Sequence, residues 1–293
     1  MQNPLAELQE YENLLEALKK GQGPVQATGT LDSQKVHLMH ELKEDASYPW
    51  SLVVTYDDTR AKEIYEDFRN FTDRVWLYPA RDLLFYSADI HGNLLTRQRI
   101  SVLKSILTEP GGVVVTTVDA LMDHLLPLSA FKSQVVSIQA GQTLDLEALK
   151  TQLTAMGYER TAQVDAMGQF SIRGGILDIF PLTEETPVRV ELWDDEVDSI
   201  RSFDVESQRS VEELDQVALY PAAEVILPPD RLKEGLGEIE EEEKAYEASL
   251  RGQHKSEAAH RILTSVQEFV EGVREGWRIG GLDSYIGYFC KDT

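Results

Sequence analysis

The sequence predicts an α/β fold, which consists of a parallel-sheet domain and an inserted small α+β antiparallel domain. Two observations carry this prediction. Strands that are apolar on both faces alternate with helical patterns in the first part of the chain, as in Leu52–Tyr56 and Val113–Thr116, which is typical of a parallel sheet covered by helices. From Tyr158 onward, short alternating strands are separated by turn residues, which indicates an antiparallel meander.

Apolar spacing and capping residues define the elements of the first domain, which we place at residues 1–125. Leu5 to Leu18 recur at helical spacing, and Gly21 and Pro24 end that helix. Asp57 or Asp58 is a suitable N-cap for a helix after the first strand. In chain order the remaining predicted elements are a helix through Val36–Leu42, strand Leu52–Tyr56, a helix through Ala61–Phe68, strand Val75–Tyr78, helix Arg97–Leu107, strand Val113–Thr116 and helix Val118–Leu126.

The rest of the chain divides at a change of pattern. We place the antiparallel domain at residues 126–212 and a third segment, with one long helix, at residues 213–293. The predicted elements are helix Leu146–Met156, strands in Phe170–Pro181, Val188–Trp193 and Val197–Phe203, an extended Val217–Leu227, a helix from Asp230 to about Trp277, and a strand in Ser284–Cys290. Because a natural domain rarely exposes such a terminal edge strand, we expect its partner strands further along a longer chain.

Composition limits the classes of function. The formal net charge is −23 and the pI about 4.6, so the basic surface of a dedicated nucleic-acid-binding domain is absent. Cys290 is the one cysteine, which excludes an internal disulfide and fits a reducing compartment. No stretch reaches the roughly 20 apolar residues that cross a bilayer, and Met1–Gly21 lacks the apolar core of a signal peptide. We therefore expect a cytoplasmic protein without a membrane partner.

The place where a nucleotide-binding domain would hold its phosphate loop carries an incomplete pattern. A phosphate loop reads G-x-x-x-x-G-K-[ST], because glycine amides and the lysine hold the phosphates. Here Gly29 is present, the second glycine and the Lys-Ser/Thr pair are missing, Asp32 adds a negative charge, and Lys35 is displaced and followed by Val36. The segment predicts a loop that does not bind phosphate; an ordinary strand-to-helix turn explains it equally well.

Metal ligands are not predicted. His37 and His40 have helical spacing, but no third ligand lies nearby in the sequence. Four acids crowd a turn at Asp194–Asp198, yet the spacing and glycine of a calcium loop are missing, so a solvated hairpin tip is the preferred interpretation.

Three ordered segments carry a family resemblance. Gly168–Pro181 (GQFSIRGGILDIFP), Val190–Arg201 (VELWDDEVDSIR) and Phe203–Ser210 (FDVESQRS) resemble the UvrB family of nucleotide-excision-repair helicases and the Mfd family of transcription-repair coupling factors. The incomplete phosphate loop, and a path from Tyr78 to Arg97 too short for the DNA-gripping hairpin of UvrB, favour the Mfd family. In that family the first region is a degenerate copy of UvrB domains 1a, 2 and 1b.

The resemblance implies a non-catalytic module that docks UvrA, the damage-recognition ATPase, and so brings excision repair to stalled RNA polymerase. It implies no cofactor for this chain: ATP and magnesium, like the contacts with RNA polymerase and DNA, belong to further domains of a parent ATP-dependent DNA translocase. Two alternatives stay open. One is an ATP-dependent helicase subunit of the UvrB type; the other is an intramolecular clamp on the parent motor.

Four residues are predicted to form or support the UvrA-binding surface: Arg160, Phe170, Arg173 and Asp178. Arg173 alternates away from Phe170 and Ile172 on one strand, so we expect an outward cation suited to a carboxylate of a partner. In the resembling families, arginines at Arg160 and Arg173 belong to this surface, and we expect both on one face. Asp178 is expected to anchor the hairpin, and Gly174-Gly175 to allow a bulge or a close backbone approach.

Overall fold

The computed structural model describes residues 3–80, 89–123, 125, 127–227, 229–274 and 285–289, with the backbone alone at residues 33, 89–93 and 229. The chain divides into two compact units. One comprises Met1–Leu83 and Ser101–Met122, and the other comprises Leu84–Ile100 and Asp123–Thr293. The three-part division at residues 125 and 212 stays a prediction.

The first unit contains a parallel three-stranded sheet. After a 3₁₀ turn, Pro4–Glu7, its elements are α1 (Gln9–Lys19), α2 (Asp32–Asp45), β1 (Trp50–Thr55), α3 (Asp58–Phe68), β2 (Val75–Tyr78), α4 (Asp89–Thr108, which continues into the second unit), β3 (Gly112–Thr117) and α5 (Val118–Met122). The strand order is β1-β3-β2, with Trp50 opposite Gly112 and Val75 opposite Val113. The parallel sheet predicted from the sequence is confirmed.

Helix α3 shows how the sequence builds this unit. The side chain of Asp57 accepts a hydrogen bond from the amide of Arg60, which caps the helix start. Ala61, Ile64 and Phe68 then recur every three or four residues, so they form one buried face. This face belongs to a core cluster that also contains Val36, Val53, Val75, Val113 and Val115.

The second unit contains a six-stranded sheet and a helical hairpin. Its elements are α6 (Leu128–Ser133), β4 (Val136–Gln139), α7 (Leu146–Ala155), β5 (Glu159–Arg160), β6 (Gln169–Arg173), β7 (Ile176–Ile179), β8 (Val188–Trp193), β9 (Glu196–Phe203), β10 (Ser210–Glu213), β11 (Gln216–Leu219), α8 (Pro229–Gly252), α9 (Ser256–Arg274) and α10 (Ile286–Phe289). The large sheet has the order β10-β9-β8-β7-β6-β5, antiparallel except for β5 with β6. Strands β4 and β11 pair antiparallel. The inserted antiparallel domain is confirmed.

Alternation gives the six-stranded sheet one apolar and one polar face. Five side chains on β6 to β9 are fully buried on the apolar face: Phe170, Leu177, Ile179, Val190 and Ile200. The residues between them, including Ser171, Asp178 and Arg189, lie on the opposite face because successive strand residues point to opposite sides. The candidate site lies on this second, polar face.

Two predictions about the last segment are wrong. The single helix from Asp230 to Trp277 is a hairpin: α8 ends at Gly252, His254 has a φ of 60°, and α9 begins at Ser256. The apolar residues Tyr285–Phe289, expected in a strand, include helix α10, because Ile286 and Phe289 are spaced to bury one helical face. Phe289 packs closely on Gly235 of α8, where an added Cβ would lie 2.2 Å from its ring.

Candidate partner-binding face

Two glycines shape the hairpin between β6 and β7. Gly174 has a φ of 61°, which other residues rarely adopt. At Gly175 an added Cβ would lie 2.9 Å from the carbonyl oxygen of Leu192, and the Leu192 amide donates to the Gly175 carbonyl at 2.8 Å. The close backbone approach expected from the sequence is present. This turn places Arg173 opposite Ile176, next to the end of β8.

A buried carboxylate organises the polar face. Asp178 is 1% exposed. Its Oδ1 accepts from Nε of Arg189 at 2.6 Å, and its Oδ2 accepts from Nη2 of Arg189 at 3.0 Å and Nη2 of Arg173 at 2.8 Å. Arg173 keeps 53% of its side chain exposed. One buried negative charge thus holds two guanidinium groups, and the anchoring role expected of Asp178 stays a prediction.

Arg189 is fixed on several sides. Besides the two hydrogen bonds to Asp178, its guanidinium lies 4.8 Å from the ring centre of Phe203 and donates to the carbonyl of Gln208 at 3.3 Å. The hydrogen bond with Asp178 raises the pKa of Arg189. Since 16% of its side chain is exposed, Arg189 supports Arg173 and also presents part of its own charge.

An exposed tryptophan completes this surface. Arg189, Glu191 and Trp193 alternate along β8 and therefore share a face with Arg173 and Ile176. Trp193 is 82% exposed and Ile176 is 37% exposed. We call the set Arg173, Ile176, Asp178, Arg189, Glu191 and Trp193 the Arg173 face. Exposed tryptophan beside arginine is the composition of energetically important positions at protein interfaces.

The other two predicted site residues lie elsewhere. Phe170 is fully buried on the apolar side of the sheet, opposite Ile179. It therefore packs in the core and is not exposed to a partner. Arg160 is exposed, but its register partner in β6 is Phe170. The sheet register therefore does not place Arg160 with Arg173, contrary to the expectation of one shared face.

Sequence reasoning missed Arg189 and Trp193. The period-two alternation of Val188–Trp193 contained the necessary signal, since it separates Val188 and Val190 from Arg189, Glu191 and Trp193. What it could not supply was the pairing of β7 with β8, which brings Arg189 opposite Asp178.

The incomplete phosphate loop has its charges paired internally. Asp32 is the first residue of α2, and its Oδ1 accepts from Nζ of Lys35 at 2.9 Å and from Nη2 of Arg60 at 3.0 Å. The hydrogen bond with Lys35, and then the charge of Arg60, hold the pKa of Asp32 below its usual range. Gly29 has a φ of 83°. Both cations near this loop are thus engaged by a carboxylate of the chain.

Two further expectations from the sequence concern metal binding and the connection after Tyr78. In the part of the chain that the structure describes, no group of three or more His, Cys, Asp or Glu side chains is arranged to hold a metal ion; His37 instead lies 3.5 Å from Glu41 and stacks on Phe71. The short connection after Tyr78, which argued against a DNA-gripping hairpin, lies largely outside the described residues. No helix among the described residues combines the length and apolarity of a membrane span.

The chain is similar to two groups of bacterial repair proteins, the transcription-repair-coupling factors and UvrABC system protein B. Residues 136–224 match the family model of the UvrB interaction domain. The chain is 31% identical over 293 residues to a transcription-repair-coupling factor of Bacillus subtilis, covering 99% of this chain and 25% of the relative. It is 33% identical over 229 residues to that of Staphylococcus epidermidis, covering 78% and 19%. It is also 30% identical over 292 residues to UvrABC system protein B of Kosmotoga olearia, covering 94% and 43%. The chain thus spans about a quarter or less of these coupling factors and less than half of that UvrB.

Proposed function

The chain belongs to the UvrB-like bacterial repair proteins that include the transcription-repair-coupling factors, and from this we propose that it is a docking module for UvrA without catalysis of its own. The Arg173 face lies within the residues that match the UvrB interaction domain. The observation that carries the proposal is the pairing of buried Asp178 with Arg173 and Arg189, on the face of the sheet that also carries the exposed Trp193.

The geometry of this face suits a protein partner with a carboxylate at its surface. Arg173 is held by Asp178 at one nitrogen, and its exposed remainder offers donors in a planar fork. Because the guanidinium is already positioned, binding loses less side-chain entropy than it would at a free arginine. The overall charge of −23 disfavours DNA phosphates as the general ligand of this chain.

The proposal of a non-catalytic chain is supported by the Asp32 pairing. A nucleotide phosphate approaching Gly29 would meet the carboxylate of Asp32 and would have to displace it from Lys35 and Arg60. We therefore expect no cofactor here. ATP and magnesium, and the contacts with RNA polymerase and DNA, are assigned to further domains of a parent translocase that works in the cytoplasm.

The similarity to UvrABC system protein B over 94% of this chain favours one alternative, a helicase subunit of the UvrB type. That alternative requires saturable ATP binding near Gly29–Lys35. The pairing of Lys35 and Arg60 with Asp32 argues against it. Titration with a fluorescent ATP analogue separates the two functions.

Calorimetric titration of purified UvrA with this chain tests the docking function. We expect saturable binding, and we expect Arg173→Ala to weaken it by about 1–3 kcal/mol, the scale of an important interface residue. Arg69→Ala is the matched control, because Arg69 is similarly exposed at 60% but lies directly after α3 in the other unit. Equal affinities of the two variants, with both folded, would contradict the assignment of Arg173.

A further inference from the structure

A second polar site lies in the first unit, at the amino-terminal ends of its parallel strands. A cavity of about 380 Å³ opens beside Pro49, which precedes β1, and Gly111-Gly112, where β3 begins. It shares no residue with the Gly29–Lys35 loop. The lining residues are His40, Lys43, Glu44, Ser47, Tyr48, Pro49, Thr72, Arg74, Pro110, Gly111, Gly112 and Val113.

The charged groups in this lining favour an anion. Lys43, Arg74 and His40 supply nitrogen donors, and Glu44 is the single carboxylate of the lining. Nζ of Lys43 lies 2.8 Å from Oε1 of Glu44, and this hydrogen bond lowers the pKa of Glu44. The side chain of Lys43 is 13% exposed, so its charge is held near the cavity wall. In a chain of net charge −23, such a concentration of basic groups is unexpected for a solvated surface.

Arg74 is available to a ligand. Its side chain is 58% exposed, and its Nε lies 3.7 Å from Oε2 of Glu109, beyond normal hydrogen-bond distance. A guanidinium in that state can turn toward an oxyanion in the cavity and form two parallel hydrogen bonds with it. Arg74 stands just before β2, so its backbone is fixed by the sheet: its carbonyl accepts from the Val113 amide at 2.9 Å.

One wall contains a polar atom that no described group satisfies. Nδ1 of His40 is buried and has no hydrogen-bond partner among the described residues. The imidazole lies 5.3 Å from the ring of Phe71, which holds it in place. Buried polar atoms are nearly always paired with protein, water or a ligand, so an unpaired nitrogen in a cavity wall is a reason to look for a bound molecule.

Two glycines, Gly111 and Gly112, belong to the cavity lining. An added Cβ at Gly111 would lie 2.2 Å from the Pro49 carbonyl oxygen, and one at Gly112 would lie 2.3 Å from the Trp76 ring. Both positions therefore exclude side chains. Hydroxyl groups of Ser47 and Thr72 also line this space.

We propose that this cavity binds a phosphate monoester dianion, with Lys43 and Arg74 as its charged ligands and His40 as an additional donor. The volume lies at the small end of the range of about 300–1,000 Å³ typical of small-molecule sites. A nucleoside monophosphate is therefore a suitable size class, while inorganic phosphate is the minimal ligand. This site is independent of UvrA docking, since it lies in the unit that does not contain Arg173.

The test is a titration of the ¹⁵N-labelled chain, followed by NMR, with inorganic phosphate, a nucleoside monophosphate and the parent nucleoside. We expect saturable shifts at the amides of Ser47 and Gly111 with the two phosphate compounds and none with the nucleoside. The variant Lys43→Gln/Arg74→Gln should bind at least roughly tenfold more weakly, because it loses two charge-assisted hydrogen bonds. Lys62→Gln/Arg69→Gln is the matched control, because both residues are exposed, Lys62 within α3 and Arg69 directly after it.

Three results would overturn the proposal: no saturable shift, equal affinity of the double variant, or equal binding of the nucleoside. Arg74→Gln alone keeps the test decisive if the double variant does not fold, because the exposed Arg74 side chain contributes little to packing. Unchanged phosphate affinity in that folded single variant would also count against the site.

Discussion

The buried carboxylate of Asp178 holds the half-exposed guanidinium of Arg173 at 2.8 Å. The same carboxylate engages Arg189 from the next strand, so three neighbouring strands contribute to one charged cluster. An acid that no partner can reach thus determines where the accessible cation stands. This relationship links the core of the inserted domain to its proposed surface.

Replacing Asp178 with Asn should cost both stability and affinity. The substitution keeps the shape but leaves two arginines without their shared negative charge, and breaking a buried pair typically costs about 3–5 kcal/mol. Urea denaturation measures the loss of unfolding free energy, and titration with UvrA measures the loss of affinity. A loss of stability below about 1 kcal/mol would show that the cluster is solvated and does not organise the face.

Phe170→Leu should distinguish a residue that stabilises the sheet from one that contacts UvrA. Phe170 is fully buried, so the smaller side chain should lower the free energy of unfolding through lost packing, by about 1–3 kcal/mol. The affinity of the folded protein for UvrA should stay within about twofold of that of the parent chain, which corresponds to about 0.4 kcal/mol of binding free energy. A large loss of affinity without loss of stability would instead indicate that Phe170 is displaced onto the surface on binding.

The end of α7 depends on a glycine. Gly157 has a φ of 88°, and an added Cβ would lie 2.8 Å from Cβ of Ala223. Gly157→Ala should therefore destabilise the chain by more than about 1 kcal/mol in thermal unfolding. Gly237→Ala is the control: Gly237 lies inside α8 with no atom within 4 Å of the added Cβ, so alanine should be neutral or stabilising.

Nucleotide should not bind at the incomplete phosphate loop. The carboxylate of Asp32 already occupies Lys35 and Arg60, so a fluorescent ATP analogue should give no saturable signal up to millimolar concentration, that is, less than about 4 kcal/mol of binding free energy. Saturation that Lys35→Ala abolishes would support the helicase alternative. Saturable binding that Lys35→Ala does not weaken would indicate a nucleotide site outside this loop.

The sequence predicted the parallel sheet and the antiparallel domain because the strands of each have a clear hydrophobic pattern. Leu52–Tyr56 and Val113–Thr116 are apolar runs, and Val188–Leu192 alternates strictly. The final apolar segment was assigned wrongly, since five residues of Tyr285–Phe289 fit a short helix as well as a strand. Their packing on Gly235 decided the outcome, and that contact joins positions far apart in the chain.

The candidate site was only partly accessible to sequence reasoning. Arg173 and Asp178 lie in one recognisable segment and were predicted, whereas Arg189 and Trp193 join them only through the pairing of β7 with β8. The assumed neighbourhood of Arg160 and Arg173 failed for the same reason, because register decides which face a side chain occupies.

Amide hydrogen exchange of this chain with and without UvrA locates the docking surface on the sequence. When UvrA is bound, we expect slower amide exchange at the β6–β7 turn, residues 173–176, and at the β8–β9 turn, residues 193–196. Exchange in α3 of the other unit should not change. At a UvrA concentration near the dissociation constant of the parent chain, Arg173→Ala should reduce this protection while leaving exchange in the free chain unaltered. Protection confined to the first unit, or equal protection in the Arg173→Ala variant, would contradict docking through the Arg173 face.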